Sequence, residues 1–98
     1  MSMNINFNRN GDELYISLEG RLDTITAPEF ESFFNENFSG SNSLVIDCEK
    51  LIYVSSAGLR VLLSTHKKMH GNMKLINVCE LVMEVFEMTG FADIWVIE

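Results

Sequence analysis

The sequence predicts an α/β fold in which helices pack on a mixed, mostly parallel β-sheet, with the element order ββαβαβαβ. Two observations carry this prediction: an alternating hairpin opens the chain, and segments of helical periodicity then alternate with short apolar strands. A third is the run 44–46, which is apolar at consecutive positions, as is typical of a strand buried on both faces. At 98 residues, 47% of them hydrophobic, the chain can bury one core, so we expect a single domain over residues 1–98.

The first two strands are predicted by alternation. Ile5 and Phe7 alternate with asparagines, and Asn10-Gly11 then forms a typical hairpin turn. The second strand has apolar residues at every other position: Leu14, Ile16 and Leu18. The two strands therefore form a half-buried hairpin, from which the chain leaves the sheet at residues 20–23.

The first helix is predicted to begin near Thr26. Thr26 and Glu29 have the spacing of a capping box, and Pro28 is tolerated in a first helical turn. The apolar face extends for about three turns. It consists of four phenylalanines at helical spacing: Phe30, Phe33, Phe34 and Phe38.

The middle of the chain predicts a strand and a second helix. Residues 44–48 are expected to form a central parallel strand, which ends in charge at Asp47. A short loop leads to Ser55 and Ser56 and to a helix over residues 57–70, which Gly71 stops. The helix is expected to turn five residues toward the core: Leu59, Leu62, Leu63, His66 and Met69. Four would face outward: Arg60, Ser64, Lys67 and Lys68.

The last third of the chain predicts a strand, a helix and a strand. Residues 74–78 are predicted to form the fourth strand of the chain. Asn77 and Glu80 are candidate caps of the helix that follows, and Gly90 closes that helix. The helix is expected to turn four residues inward: Leu81, Val82, Val85 and Phe86. Residues 94–97 make the last short strand.

Charge and composition exclude several classes of partner. A net charge of −7 argues against nucleic acid or an anionic membrane, because phosphate binding needs clustered Lys and Arg. No apolar run approaches the length of a membrane span, and the N-terminus lacks the pattern of a signal peptide. Cys48 and Cys79 lie in apolar contexts typical of reduced core residues, so we expect a cytoplasmic protein. Glu80, Glu84 and Glu87 form either a solvated face or a docking edge for a basic partner.

Patterns for catalysis and metal binding are weak. His66 and His70 have a spacing that can bind zinc, but no third ligand is evident. Residues 54–58 could form the turn of a serine-hydrolase elbow but lack its leading glycine, and neither histidine can be assigned to Ser56. Burial of Cys48 in a strand would raise the pKa of its thiol. No enzyme activity, cofactor or metal is therefore expected.

Ser55 and Ser56 open the second helix, where a hydroxyl usually caps the backbone but a phosphate is also favoured. Gly58 in the first turn costs about 1 kcal/mol of helix stability relative to alanine. Glycine at that position allows another backbone or an enzyme active site to approach closely. From the residues alone, Ser56 is equally compatible with a cap and with a functional contact.

Residues 53–59, Tyr-Val-Ser-Ser-Ala-Gly-Leu, preceded by Asp47, resemble the characteristic loop of STAS domains, the anti-sigma factor antagonists of bacteria. Residues 20–23, Gly-Arg-Leu-Asp, are similar to a second element of that family. The predicted element order, with Gly90 near the end, is similar as well. The resemblance therefore covers nearly the whole chain.

The resemblance implies a phosphorylation switch without catalysis by this chain. In the family, the unphosphorylated antagonist frees the sigma factor by binding a partner that is both an anti-sigma factor and a serine kinase of the histidine-kinase-like ATPase fold. The kinase then phosphorylates the loop serine, and a metal-dependent serine phosphatase resets the switch. Alignment on Gly58-Leu59 places the acceptor at Ser56, with Ser55 as the second choice. Ser55 stands where the family often has Asp, and Ala57 where it often has Ser or Thr.

The expected partner-binding face combines this loop with the start of the second helix and, if the strand ends cluster, with the loop after the second strand. Its residues are Asp23, Thr24, Tyr53, Val54, Ser55, Ser56, Ala57, Gly58, Leu59, Arg60 and Ser64. Two alternatives stay open. One is a STAS-like scaffold subunit of a signalling complex that is not phosphorylated, and the other is a small hydrolase that uses Ser56.

Overall fold

Strands and helices alternate along the chain after an opening hairpin, in the order predicted. The computed structural model describes residues 3–98. The strands are β1 (Asn4–Asn10), β2 (Glu13–Leu22), β3 (Ser43–Val54), β4 (Met73–Ile76) and β5 (Val96–Ile97). The helices are α1 (Ala27–Asn37), α2 (Ser56–Lys68) and α3 (Glu80–Thr89), and a 3-10 turn, Phe91–Asp93, precedes β5.

The five strands lie side by side in the order β1-β2-β3-β4-β5. β1 pairs antiparallel with β2, and every later pair is parallel. Each helix therefore connects two neighbouring strands, and right-handed connections place all three helices on one face of the sheet. The mixed, mostly parallel sheet is confirmed, and so is the central position of residues 44–48.

The core lies between the helices and the covered face of the sheet. Leu14, Ile16 and Leu18 of β2 are fully buried there, whereas Tyr15 on the opposite face is half-buried. The phenylalanine face of α1 is confirmed in part, because two of its members are buried and two are half-buried at the rim. The buried pair is Phe30 and Phe34, and the half-buried pair is Phe33 and Phe38.

Strand β3 is longer than predicted. It runs from Ser43 to Val54, so its charged residues Glu49 and Lys50 lie inside the strand, and a single residue, Ser55, separates it from α2. The register against β2 shifts twice, and each shift adds one residue to β3. These bulges leave two exposed residues between each buried pair, so the simple alternation of a strand is lost after Cys48.

Strand β2 also extends further than predicted, to Leu22, so residues 20–22 belong to the sheet. The predicted capping box of α1 is wrong. Thr26 occupies the N-cap position, but its side chain does not cap the helix and instead donates a hydrogen bond to the Arg21 carbonyl at 2.7 Å. The sequence pattern is that of a capping box, but the tertiary fold directs this hydroxyl to the strand before the loop.

The predicted caps of α3 are also wrong. Cys79 occupies the N-cap position without a side-chain cap, and Asn77 donates instead to the Asp47 carboxylate at 3.1 Å. Glu80 is the first residue of the helix itself. Gly90 closes α3 in the left-handed conformation, as predicted.

Helix α3 turns a narrower face to the core than predicted. Leu81 was expected in the core but is 59% exposed, while Val82 and Phe86 are buried as predicted. On the buried face of this helix the Trp95 ring packs edge-on against Phe86, with centroids 5.1 Å apart. Strand β5 is correspondingly shorter than predicted, with Ile94 outside it and half exposed.

Candidate functional site

The carboxyl ends of β2 and β3 meet at one edge of the sheet. Leu22 pairs with Val54, and the Ser55 N–H donates to the Leu22 carbonyl at 2.9 Å. This arrangement brings the loop at residues 23–26 beside the N-terminus of α2. The expected clustering of the strand ends is therefore present.

Hydrogen bonds within the chain hold the loop at residues 23–26 in place. One carboxylate oxygen of Asp23 accepts from the backbone N–H of Ile25 at 3.0 Å and of Thr26 at 3.1 Å. These bonds, the one from Thr26 foremost, lower the pKa of the Asp23 carboxyl below its usual value. Asp23 thus organises the loop, and Ile25 is left 69% exposed at its tip.

The two serines have different structural roles. Ser55 is the N-cap of α2: its backbone is extended and its hydroxyl accepts a hydrogen bond from the Gly58 N–H at 3.4 Å. Ser56 is the first residue of the helix and is exposed, and its hydroxyl makes no hydrogen bond within residues 3–98. The interpretation of Ser56 as the cap is therefore wrong.

Gly58 is explained by contact with the chain's own backbone. A β-carbon at this position would lie 2.5 Å from the Leu22 carbonyl oxygen and 3.0 Å from a methyl group of Val54. The glycine therefore allows the first turn of α2 to rest on the ends of β2 and β3. The close approach predicted for this glycine occurs within the protein.

An open groove of about 490 Å³ lies between the start of α1 and α2, beside the serines. Its lining consists of Thr24, Ala27, Pro28, Glu31, Ala57, Arg60, Val61 and Ser64. Four of these belong to the face predicted from the sequence, and the contributions of α1 and Val61 were missed. No local signal marks the α1 residues, because Ala27 lies on the same buried helical face as Phe30 and Phe34, and Glu31 joins the groove only through packing.

Beside the groove, Tyr53 and Arg21 form a second exposed feature. The Arg21 guanidinium lies 4.1 Å from the centroid of the Tyr53 ring, and its Nε lies 3.8 Å from the Asp23 carboxylate. The sequence prediction included Tyr53 but missed Arg21. The contact joins the end of β3 to the loop at residues 23–26.

Three residues of the predicted face are buried. Val54, Gly58 and Leu59 belong to the core side of the β3–α2 junction, and they position the surface around them. The others reach solvent at least in part. Those with exposed or half-buried side chains are Asp23, Thr24, Tyr53, Ser55, Ser56, Ala57, Arg60 and Ser64.

The histidines do not support hydrolysis by Ser56. His66 lies in the last turn of α2, at the opposite end of the helix from Ser56, and His70 lies beyond that end. Within the described residues, no three His, Cys, Asp or Glu side chains come together as a metal site. None of the helices over residues 3–98 combines the length and apolar character that crossing a membrane requires.

Asp47, which the resemblance singled out, has a structural role in this chain. Its carboxylate accepts hydrogen bonds from the Tyr15 hydroxyl, from the Asn77 amide at 3.1 Å and from the Glu49 N–H at 3.0 Å. Burial raises the pKa of Asp47, but the hydrogen bonds from Tyr15 and Asn77 outweigh burial and lower it overall. The cluster ties β2, β3 and the end of β4 together.

Comparison with known proteins finds a matching family model and relatives that align over most of the chain. Residues 4–98 match the family model described as the STAS domain. The anti-sigma-B factor antagonist of Bacillus subtilis strain 168 is 28% identical over 97 residues, which cover 96% of this chain and 89% of that protein. BtrV of Bordetella bronchiseptica, described as a candidate anti-sigma factor antagonist, is 35% identical over 86 residues, covering 84% and 74% of the two chains.

A solved structure shows the same fold. The crystal structure of an anti-sigma factor antagonist from Mycobacterium paratuberculosis superposes with a TM-score of 0.86 at 19% sequence identity. The superposition covers 97% of this chain and 84% of the other.

Proposed function

The chain belongs to the STAS domain family, and on that basis we propose that it is a cytoplasmic anti-sigma factor antagonist that phosphorylation of Ser56 switches off. Two relatives that align over most of this chain carry the description of anti-sigma factor antagonist, one of them as a candidate. The unphosphorylated chain binds an anti-sigma factor, which releases the sigma factor. The chain itself catalyses no reaction.

The observation that carries the proposal is that the two serines have different roles. Ser55 provides the helix cap, so Ser56 is left exposed with a free hydroxyl at the positive end of the helix dipole. In the transfer, Ser56 Oγ bonds to the γ-phosphorus of ATP, the bond to the bridging oxygen of ADP breaks, and the hydroxyl proton leaves to the kinase or solvent. The helix N-terminus tolerates the added charge, so the fold is retained.

The partner proposed for this face is a serine kinase of the histidine-kinase-like ATPase fold that also serves as the anti-sigma factor. It would dock on the groove between α1 and α2 and on the exposed side chains of Ile25 and Tyr53. A phosphoryl group adds about −1.5 to −2 charges next to that groove. A loss of about 3 kcal/mol of binding free energy would weaken the complex by about a hundredfold. A metal-dependent serine phosphatase would reverse the modification.

The test is phosphorylation and binding with the anti-sigma factor kinase of the same organism. After incubation with kinase and ATP, intact-mass measurement should show one added phosphoryl group on the wild-type chain and none on Ser56→Ala. Ser55→Ala is the matched control and should still be modified. Ser56→Asp should remain folded but bind the kinase at least tenfold more weakly than Ser56→Ala does.

Three outcomes would contradict the proposal. Loss of phosphorylation in Ser55→Ala but not in Ser56→Ala would move the acceptor by one residue. Kinase binding without any phosphorylation would indicate an unmodified scaffold subunit. Covalent labelling of Ser56 by a serine-directed phosphonate probe would indicate a hydrolase.

A further inference from the structure

Arg60 is an exposed cation that lacks a partner within the described residues. It lines the groove between α1 and α2 together with Ala57 and Ser64. Glu31 lines the same groove, but among residues 3–98 Arg60 forms no ion pair with Glu31 or with any other carboxylate. Its guanidinium is therefore available to a ligand.

Arg60 lies one helical turn after Ser56, on the same side of α2. Residues at (i, i+4) have β-carbons about 5–6 Å apart on the helix surface. Helical side chains also lean toward the N-terminus, so a long side chain at position 60 extends back over position 56. The hydroxyl of Ser56 is exposed and is not used for capping, so a group attached to it projects into this same region.

The other cations near this end of the protein or on α2 either have other contacts or lie too far along the helix. Arg21 is held over the Tyr53 ring at 4.1 Å and lies 3.8 Å from the Asp23 carboxylate. Lys67 and Lys68 belong to the last turn of α2, where Lys68 donates to an Asn35 side-chain oxygen at 2.8 Å. Arg60 is thus the cation on α2 that can reach a group on Ser56.

We propose that Arg60 binds the phosphoryl group of phosphorylated Ser56 and leaves the groove when it does so. The inference rests on the proposed function, because it takes Ser56 to be the modified residue. A guanidinium offers two parallel N–H donors, which match two oxygens of a phosphate. Phosphorylation then changes the docking surface twice, because it adds negative charge at the start of α2 and removes a positive charge from the groove.

The proposal is tested on protein that carries phosphoserine at position 56, introduced during translation so that no kinase is needed. Titration by ³¹P NMR gives the second pKa of the phosphate. Arg60 favours the dianion, so we expect this pKa to be about 0.15 to 0.4 lower with Arg60 than in Arg60→Gln. Arg60→Lys should lie in between, and Lys67→Gln, at the far end of the helix, should match the unsubstituted phosphoprotein. Asp23 and Glu31 are common to all four proteins, so their charges do not affect the comparison.

A second measurement reports the position of the arginine itself. The ¹⁵N heteronuclear NOE of the Arg60 Nε–H should rise when position 56 carries phosphoserine in place of serine, because the phosphate orders the guanidinium. An equal phosphate pKa with and without Arg60, or an unchanged NOE, would overturn the inference. Failure of the kinase to modify Ser56 would instead refute the proposed function alone, since the installed phosphoserine still shows whether Arg60 binds it.

Discussion

Gly58 rests directly on the backbone of Leu22, so that a β-carbon at position 58 would lie 2.5 Å from the Leu22 carbonyl oxygen. The same oxygen accepts the Ser55 N–H at 2.9 Å. The first turn of α2 is therefore seated on the end of β2. This contact sets the position of Ser56 relative to the loop at residues 23–26.

Gly58→Ala should destabilise the protein. Helix propensity alone would make alanine more stable by about 1 kcal/mol. Overlap with a backbone oxygen, which cannot rotate away, should cost about 1–3 kcal/mol. We expect the steric effect to win and the urea midpoint to fall. Ser64→Ala, in the middle of the same helix, is the control and should stay within about 0.5 kcal/mol of wild type. A rise in midpoint for Gly58→Ala would show that the contact relaxes freely.

Ser55→Ala should cost more stability than Ser56→Ala. Loss of an N-cap costs about 0.5–2 kcal/mol, and the 3.4 Å length of the Ser55 bond favours the lower half of that range. Ser56 makes no hydrogen bond to lose, so its substitution should change the free energy of unfolding by less than about 0.5 kcal/mol. Equilibrium urea unfolding of the two variants decides between them. A larger loss of stability in Ser56→Ala than in Ser55→Ala would indicate that Ser56 is the helix cap.

Asp47→Asn should flatten the acid dependence of stability. The folded protein lowers the pKa of Asp47, so this carboxylate stabilises the fold above its unfolded pKa of about 3.9. That stabilisation is lost as the pH falls through the lower folded pKa. The variant should therefore be less stable than wild type at pH 7, with the difference shrinking as the pH drops toward about 2.

The hydrogen bond from Tyr15 supplies a matched variant for the same titration. Tyr15→Phe removes the donor to Asp47 and should cost about 1 kcal/mol at neutral pH. Asp93→Asn, in the exposed 3-10 turn, is the control. A constant difference between wild type and Asp47→Asn from pH 7 to acid would contradict the role assigned to this carboxylate.

Cys79 should react with iodoacetamide before Cys48 does. Burial raises the pKa of the Cys48 thiol to about 12, so little of it is the reactive thiolate at neutral pH. The residue is also only 1% exposed, so the reagent cannot readily reach it. Cys79 is half-buried at the start of α3 and can be reached. Peptide mass mapping after native labelling should find the adduct on Cys79, and labelling in urea should modify both. Equal native labelling would mean that β3 opens easily.

Local patterns were sufficient for the order and type of the elements. Phe30 and Phe34 recur at helical spacing, and Leu44 to Ile46 are apolar at consecutive positions, so each segment carries its own signal. The loop motif at residues 53–59 could likewise be recognised along the chain, because its residues are consecutive. These predictions needed no knowledge of what each segment packs against.

Features that depend on pairing between segments were missed. The bulges of β3 arise from its register against β2. Because they interrupt the alternation of buried and exposed residues, the sequence pattern does not show that residues 51–54 belong to the strand. Leu81 of α3 is exposed, although its neighbour Val82 is buried and Phe86 of the same helix packs against Trp95. Only part of the groove lining was predicted, because the recognised motif lies at the start of α2. Glu31 belongs to α1 and reaches the groove only because the two helices pack together.

By itself, the sequence determined the α/β class, the central strand and the serine pair at the start of α2. Hydrophobic periodicity and turn residues are patterns among residues close together in sequence, so they can be recognised without the tertiary structure. Only the tertiary structure decided which serine is the cap, why position 58 is glycine and what lies beside Ser56. Those answers depend on the Leu22 carbonyl, the loop at residues 23–26 and the start of α1, which are distant along the chain and meet only when the ends of β2 and β3 come together.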